Sequence, residues 1–197
     1  MVDALNEPGW AAAAADGQTA LDPDQRAGLR ATWVSTRADL NAAEQANIRR
    51  ALGGIGSPSA NVILDDLWLR ELHRRMFGEV WTWAGRYRRT QTNLGIAADL
   101  IAIAVRDLVK DARAWPDGPV AVSARFHHRL VAIHPFVNGN GRHARAAAST
   151  LCRALGGPEL TWGLRLGDAS AARRDYLAAL RRADAGDLGP LVTFVTE

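Results

Sequence analysis

Apolar residues recur at the spacing of an α-helix through most of this 197-residue chain. The pattern is clearest where Ile101, Val105, Leu108 and Ala112 fall three or four residues apart and so lie on one helical face. Glycine or proline follows most of these segments and predicts where each helix ends. Six helices are predicted, over about 36–52, 65–77, 99–115, 122–133, 142–155 and 170–185. The chain is therefore predicted to be mainly all-α.

The remaining segments are short or lack periodicity. Residues 79–85 are rich in aromatic side chains and predict a packed turn. Residues 87–96 lack helical spacing and contain Asn93 and Gly95, so a small β-hairpin is predicted there. Residues 1–30 mix Ala, Gly, Pro and Asp without a pattern, and we expect an N-terminal arm or irregular lead-in. A single domain over 31–197 has enough residues to bury a core.

Charge and cysteine content narrow the function classes. The 24 Lys and Arg residues exceed the 21 Asp and Glu residues by three, an excess too small to favour nucleic acid as a partner. The one cysteine, Cys152, cannot form an internal disulfide and is predicted to be a buried thiol in a reducing compartment. No apolar stretch approaches the ~20 residues that span a bilayer, and no signal peptide is visible. We expect a cytoplasmic protein with no membrane partner.

The turn HPFVNGNGRHAR, residues 134–145, separates two predicted helices. Gly139 and Gly141 allow positive φ angles and let the backbone approach a ligand closely. A helix starts immediately afterwards, and its unpaired amides and dipole favour a bound phosphate. Arg142 and Arg145 are three residues apart, so both guanidinium groups lie on one face and can hold further phosphates. The turn therefore predicts an anion site.

His134 adds a proton acceptor to this site. Proline disfavours helical geometry in the residue before it, so His134 is predicted to lie where the preceding helix ends. Its imidazole suits proton transfer near neutral pH. Phe136 is predicted to anchor the turn in the core. A phosphate cradle, two arginines and a base within twelve residues indicate phosphoryl or nucleotidyl transfer.

This segment resembles the signature of the Fic (Fido) family, HPFx(D/E)GNGRxxR, and differs from it only at the acidic position. Residues 71–88 resemble the segment before the family's flap, and residues 91–95 resemble the flap. The segments LDPD, LNAAEQANI and RFHHRLVAIHPF are similar to a bacterial subgroup called mobile mystery protein B. The likeness covers about residues 20–196.

The resemblance implies a compact helical fold that binds ATP and leaves AMP on a protein hydroxyl. His134 would be the general base that deprotonates the hydroxyl before it attacks the α-phosphate. By the same resemblance, Gly139, Asn140 and Gly141 would form an anion hole. Arg142 and Arg145 would bind the β- and γ-phosphates. Thr92, Asn93 and Leu94 would form a flap that aligns the target as an added strand.

Asn138 occupies the position of the family's acidic residue, which holds Mg²⁺. An amide oxygen can ligate Mg²⁺ but supplies no charge. Three explanations remain open: the metal is held mostly by phosphates and water, another donor or weak metal dependence replaces the carboxylate, or catalysis is lost.

Glu44 interrupts the apolar spacing of Leu40, Ile48 and Leu52 on the first helix. It either lies at a helix edge and reaches water or a nearby arginine, or it is inhibitory. In the family, an inhibitory glutamate pairs with the second motif arginine and misorients ATP, which here would join Glu44 to Arg145. The usual inhibitory motif, Ser/Thr-x-x-x-Glu-Gly/Asn, is absent.

The leading function is therefore protein adenylylation or a related nucleotidyl transfer. The alternative is a catalytically weak or silent nucleotide-binding partner in a toxin–antitoxin-like system, with an antitoxin-like regulator encoded nearby as the subgroup implies.

Among the remaining histidines, one of His127 and His128 is predicted to face the core or brace the turn, and His73 and His143 are predicted to be surface or packing residues.

Overall fold

The computed structural model describes residues 26–30, 32–163 and 169–197. The mainly helical class is confirmed, and in these residues β structure is limited to the isolated bridges Leu29–Trp81 and Tyr87–Phe136. The helices are α1 (Arg37–Gly53), α2 (Ala60–Ile63), α3 (Asp66–Phe77), α4 (Ile101–Ala112), α5 (Pro119–Ile133), α6 (Asn140–Ala154), α7 (Ala169–Asp184) and α8 (Gly189–Phe194), with a 3₁₀ turn at Ala98–Leu100 before α4.

Local capping fixes where α1 and α3 begin. The Thr36 hydroxyl accepts from the Asp39 N–H at 3.1 Å, and the Asp39 carboxylate accepts from the Thr36 N–H at 2.9 Å. This reciprocal capping box confirms the predicted start of α1, which ends at Gly53. The Asp65 carboxylate caps α3 by accepting from the Trp68 N–H at 3.1 Å. The sequence thus sets both helix starts by short-range hydrogen bonds.

The core lies where α5 and α6 pack against each other and α1 packs against α3. The predicted stripe of α4 is buried along its length, as is Cys152. A second apolar cluster joins α7 and α8 to α6 and includes Cys152, Leu160 and Phe194. On α3, Leu67 is 68% exposed and Leu69 is buried, so Leu69 lies on the face that packs into the core. The core thereby holds the end of α5 and the start of α6 side by side.

The predicted β-hairpin is wrong. Residues 87–96, which we call the flap loop, form an irregular segment whose two halves do not pair with each other, and its one bridge joins Tyr87 to Phe136. The Arg88 N–H donates to the Pro135 carbonyl at 3.0 Å, and the Ile96 N–H donates to the Ile133 carbonyl at 3.4 Å. Because both ends of the loop bond to residues 133–136, their backbone groups do not pair with each other.

The short helices α2 and α8 were not predicted, since four and six residues are too few to show periodicity. Residues 26–30 belong to the packed domain, with the Arg30 N–H donating to the Val80 carbonyl at 2.7 Å. The rest of the predicted arm, residues 1–25, lies outside the described residues. Within the described part of the chain, the helices are too short or too polar to cross a membrane.

Candidate active site

His134 ends α5 in a left-handed backbone conformation, with φ 55° and ψ 59°. This conformation is uncommon for a residue other than glycine and costs about 1–3 kcal/mol. Two hydrogen bonds hold it: the His134 N–H donates to the Leu130 carbonyl at 3.2 Å, and Arg88 Nε donates to the His134 carbonyl at 2.8 Å. The predicted position of His134 at the end of a helix is confirmed.

The His134 side chain is 6% exposed. Burial lowers the pKa of its imidazole to about 4, while a hydrogen bond with the Val131 backbone acts in the opposite direction. Because this hydrogen bond favours the charged imidazole, the imidazole N–H donates and the Val131 carbonyl accepts. The ring is consequently neutral near pH 7, with its other nitrogen able to accept a proton.

His134 lines two adjoining cavities. The first, which we call the turn cavity, has a volume of about 250 Å³, and its lining includes Glu44, His134, Asn138, Gly141, Arg142, Arg145 and Arg173. The second, the loop cavity, has a volume of about 300 Å³, and its lining includes Leu94, His134, Tyr176, Leu177, Leu180 and Asp184. His134, Gly141, Arg145 and Arg173 line both cavities, so the two lie on either side of these residues.

The start of α6 faces the turn cavity. Gly139 has φ 79°, and a Cβ there would lie 2.5 Å from the Phe77 ring, so this position requires glycine. Gly141 instead lies within the first helical turn, and the prediction of a positive φ was wrong for it. A Cβ at Gly141 would meet no atom within 4 Å, which leaves the helix start open to a ligand. Amides of a first helical turn lack intrahelical acceptors and attract anions.

Asn138 and Asn140 brace the turn. The buried Asn140 side chain accepts from the Phe136 N–H at 2.9 Å and donates to the Phe136 carbonyl at 2.8 Å. Its side-chain oxygen and one of its two side-chain N–H groups thereby hold the turn. Asn138 Oδ1 accepts from the Gly139 N–H at 2.6 Å. Within the described residues, no group of three His, Cys, Asp or Glu side chains could hold a metal ion.

Four arginines line the turn cavity: Arg37, Arg142, Arg145 and Arg173. Arg142 lies over the Phe77 ring at 4.9 Å, and Arg145 lies over the Tyr176 ring at 5.6 Å. Arg173, on α7, lines the same cavity. Burial lowers the pKa of the Arg145 guanidinium, and the positive charges of Arg142 and Arg173 add to this effect. Such a concentration of positive charge favours a polyanionic ligand.

Glu44 pairs with Arg142 and not with Arg145, which corrects the predicted pairing. Its Oε2 accepts from Arg142 Nη1 at 2.8 Å, and its Oε1 accepts from Trp81 Nε1 at 2.7 Å. Residue Glu44 is 3% exposed and does not reach water, whereas the alternative that it reaches a nearby arginine is confirmed by its bond to Arg142. Among the described residues, no carboxylate forms an ion pair with Arg145.

The predicted flap residues lie beside His134 without forming a strand. The Thr92 hydroxyl donates to the Leu94 carbonyl at 2.6 Å, and Leu94 lines the loop cavity. Asn93 is exposed next to them. A Cβ at Gly95 would lie 2.4 Å from the His134 Cβ, so only glycine allows the loop to approach so closely.

His73 and Arg88 were missed as parts of the site. The Gly85 N–H donates to His73 Nδ1 at 3.0 Å, so His73 Nε2 carries the proton and donates to the Asn138 carbonyl at 3.0 Å. His73 and His143 are both fully buried, so the prediction that they are packing residues is confirmed and the alternative that they lie on the surface is wrong. The spacing of His73 from Leu69 and Phe77, four residues on either side, was a signal that it shares their buried face. Buried Arg88 carries no comparable signal.

The chain is similar to known proteins over most of its length. Residues 63–152 match the model of the Fic/DOC family. The chain is 34% identical over 148 residues to "Protein adenylyltransferase Fic" of Nematostella vectensis, covering 70% of this chain and 32% of the relative. It is 31% identical over 144 residues to "Protein adenylyltransferase fic-1" of Caenorhabditis elegans, covering 69% and 27%. The chain thus spans about a third of the length of these relatives.

Solved structures share the fold. Fic-1 of C. elegans superposes with a TM-score of 0.65 at 26% identity, covering 86% of this chain and 51% of that one. BepC of Bartonella tribocorum, solved with bound AMPPNP, superposes with a TM-score of 0.68 at 15% identity, covering 89% and 97%. The family-model match, these relatives and the shared helical fold show that the chain belongs to the Fic/DOC family.

Proposed function

We propose that this chain transfers AMP from ATP to a hydroxyl group of another protein. The observation that carries the proposal is that a neutral His134 imidazole, the start of α6 and four arginines line one cavity. The matched relatives are named protein adenylyltransferases, which supports ATP as the substrate. The loop cavity has apolar walls at Leu177 and Leu180 that suit a nucleoside.

In the proposed reaction, the free nitrogen of His134 accepts the proton of the target hydroxyl. The hydroxyl oxygen forms a bond to the α-phosphorus, the bond from that phosphorus to the bridging oxygen breaks, and pyrophosphate leaves. The amides of Asn140 and Gly141 and the guanidinium groups stabilise the phosphate charge. An imidazole with a pKa of about 4 is a weak base, but the charge of a bound triphosphate would raise that pKa towards neutrality.

The flap loop supplies the docking surface for the target. Leu94 and exposed Asn93 lie beside His134, and the loop has backbone groups that an extended target segment can pair with. A target read through its backbone needs no fixed sequence. An antitoxin-like regulator encoded nearby stays a prediction.

Mg²⁺ in this proposal is held by the triphosphate and water. Asn138 offers one neutral oxygen, which already accepts one hydrogen bond from the Gly139 N–H, and the Glu44 carboxylate accepts from Trp81 and Arg142. The chain therefore presents no carboxylate at position 138 for a metal that prefers them. The metal would neutralise charge on the phosphates, while the residues named above hold the nucleotide.

Labelled ATP tests the function. Wild-type protein incubated with a bacterial lysate should transfer label to protein, and His134→Ala should lose at least about a hundredfold in transfer rate because the base is gone. His134→Ala should still bind AMPPNP, since the phosphate contacts remain. Tight binding by wild type without transfer would instead support the silent binding partner.

The same assay tests the metal. Wild type should retain transfer with nucleotide-bound Mg²⁺, and Asn138→Asp should lower the Mg²⁺ concentration needed for half-maximal rate. If Asn138→Asp changes neither the rate nor the Mg²⁺ dependence, position 138 is not a metal site.

A further inference from the structure

His127 is a fully buried histidine on α5 that lines neither the turn cavity nor the loop cavity. Its Nε2 lies 2.9 Å from the Tyr176 hydroxyl, a contact between α5 and α7. Burial lowers the pKa of His127 to about 3 and raises the pKa of Tyr176 to about 12. Both side chains are therefore neutral at physiological pH, and a single hydrogen bond joins them.

The Tyr176 ring connects this hydrogen bond to the site. The Arg145 guanidinium lies 5.6 Å from the ring centroid, and the Phe194 ring lies 5.7 Å from it. No ion pair with Arg145 is seen within the described residues, and its guanidinium has a cation–π contact with the Tyr176 ring. The position of the ring depends in turn on where its hydroxyl is held.

We propose that His127 is a positioning residue for nucleotide binding, which holds the Tyr176 hydroxyl so that the ring keeps the Arg145 guanidinium aimed into the turn cavity. This rests on the proposed function, in which Arg145 binds phosphates. His127 touches neither nucleotide nor reacting atoms, and its effect passes through two side chains. Loss of the hydrogen bond should leave Arg145 charged but poorly oriented.

Binding of AMPPNP and of inorganic tripolyphosphate tests the chain of contacts. His127→Phe keeps an aromatic ring and removes the hydrogen bond, and we expect it to weaken both ligands by about fivefold. Tripolyphosphate has no nucleoside, so an equal loss for both ligands places the effect at the phosphates. In an Arg145→Ala background, His127→Phe should cause no further weakening, because the residue it positions is absent.

Two further variants serve as a replacement for His127→Phe and as a packing control. Tyr176→Phe retains the ring and removes the same hydrogen bond, so it replaces His127→Phe if thermal unfolding shows that variant to be misfolded. Trp162→Phe alters the ring that packs 4.5 Å from His127 and spares the bond to Tyr176, so it serves as the packing control.

An equal loss with and without Arg145, or no loss at all, would overturn the role of His127 while leaving the proposed function intact. Failure of the wild type to bind either ligand would overturn both. The experiment measures binding and not transfer, so it tests the role of His127 even if the protein binds nucleotide without transferring it.

Discussion

At the scale of single residues, the site is assembled by buried polar groups whose partners are distant in sequence. Glu44 shows this most clearly: a carboxylate on α1 meets a tryptophan from the turn after α3 and an arginine from α6. A buried carboxylate needs such donors, because desolvation is otherwise costly. In this arrangement Glu44 accepts a hydrogen bond from the Arg142 guanidinium, which a phosphate would otherwise bind. We propose that Glu44 competes with the nucleotide for Arg142.

Glu44→Gln is the variant that tests this competition. A glutamine can still accept from Trp81 Nε1 but carries no charge, so Arg142 becomes available, and AMPPNP should bind about five- to tenfold more tightly. Isothermal titration measures the affinity. Glu79→Gln is the matched control, since Glu79 forms an exposed ion pair with Arg50. Unchanged or weaker binding by Glu44→Gln would identify Glu44 as a brace for Arg142.

At the scale of elements, the flap loop is held to the end of α5 by one buried arginine. Arg88 is 2% exposed, and its guanidinium donates to the carbonyls of His134, Thr90 and Ile96 at 2.8, 3.0 and 2.5 Å. Five fixed N–H donors allow one side chain to satisfy several carbonyls. The same residue therefore shapes the loop and supports the left-handed backbone of His134.

Arg88→Met should detach these two elements. Methionine fills similar space but leaves three carbonyls without their donor, and we expect a loss of at least about 2 kcal/mol in the free energy of unfolding. Urea denaturation measures it, and limited proteolysis should cut within residues 88–96 faster. Arg89→Met is the control, because Arg89 is exposed. Equal stability of the two variants would contradict the proposed tie.

At the scale of the whole molecule, four of the five histidines are buried with lowered pKa values: His73, His127, His134 and His143. Burial is the first cause in each case, since the interior disfavours the charged ring. The ordinary histidine pKa of 6.5 applies to the unfolded chain, whereas His134 and His143 protonate in the folded chain only near pH 4. Between these values the unfolded state binds more protons.

Stability should therefore be greatest above pH 6.5 and fall as the pH drops towards 4. Each buried histidine contributes a slope of about 1.4 kcal/mol per pH unit in this window. Chemical denaturation at pH 7, 6 and 5 measures the total. His143→Gln removes one such group, so its stability deficit relative to wild type should shrink as the pH falls. Parallel curves for the two proteins would show that His143 does not titrate as its burial requires.

The sequence by itself determined the six longer helices of the described residues, most of their ends and the residue types of the turn. Thr36 and Asp39, which cap α1, are three residues apart in sequence. The base, glycines and arginines of the turn all lie between His134 and Arg145. These features depend on local hydrogen bonds and on the helical repeat, which neighbouring residues fix.

Only the tertiary structure decided which groups meet across the core. It paired Glu44 with Arg142, placed His73 against the Asn138 carbonyl, and bonded both ends of residues 87–96 to the turn in place of a hairpin. These contacts join residues 37 to 98 positions apart, or depend on how α5 and α6 are packed, so no local periodicity encodes them. Burial then removed water as an alternative partner, which made each of these long-range pairings necessary.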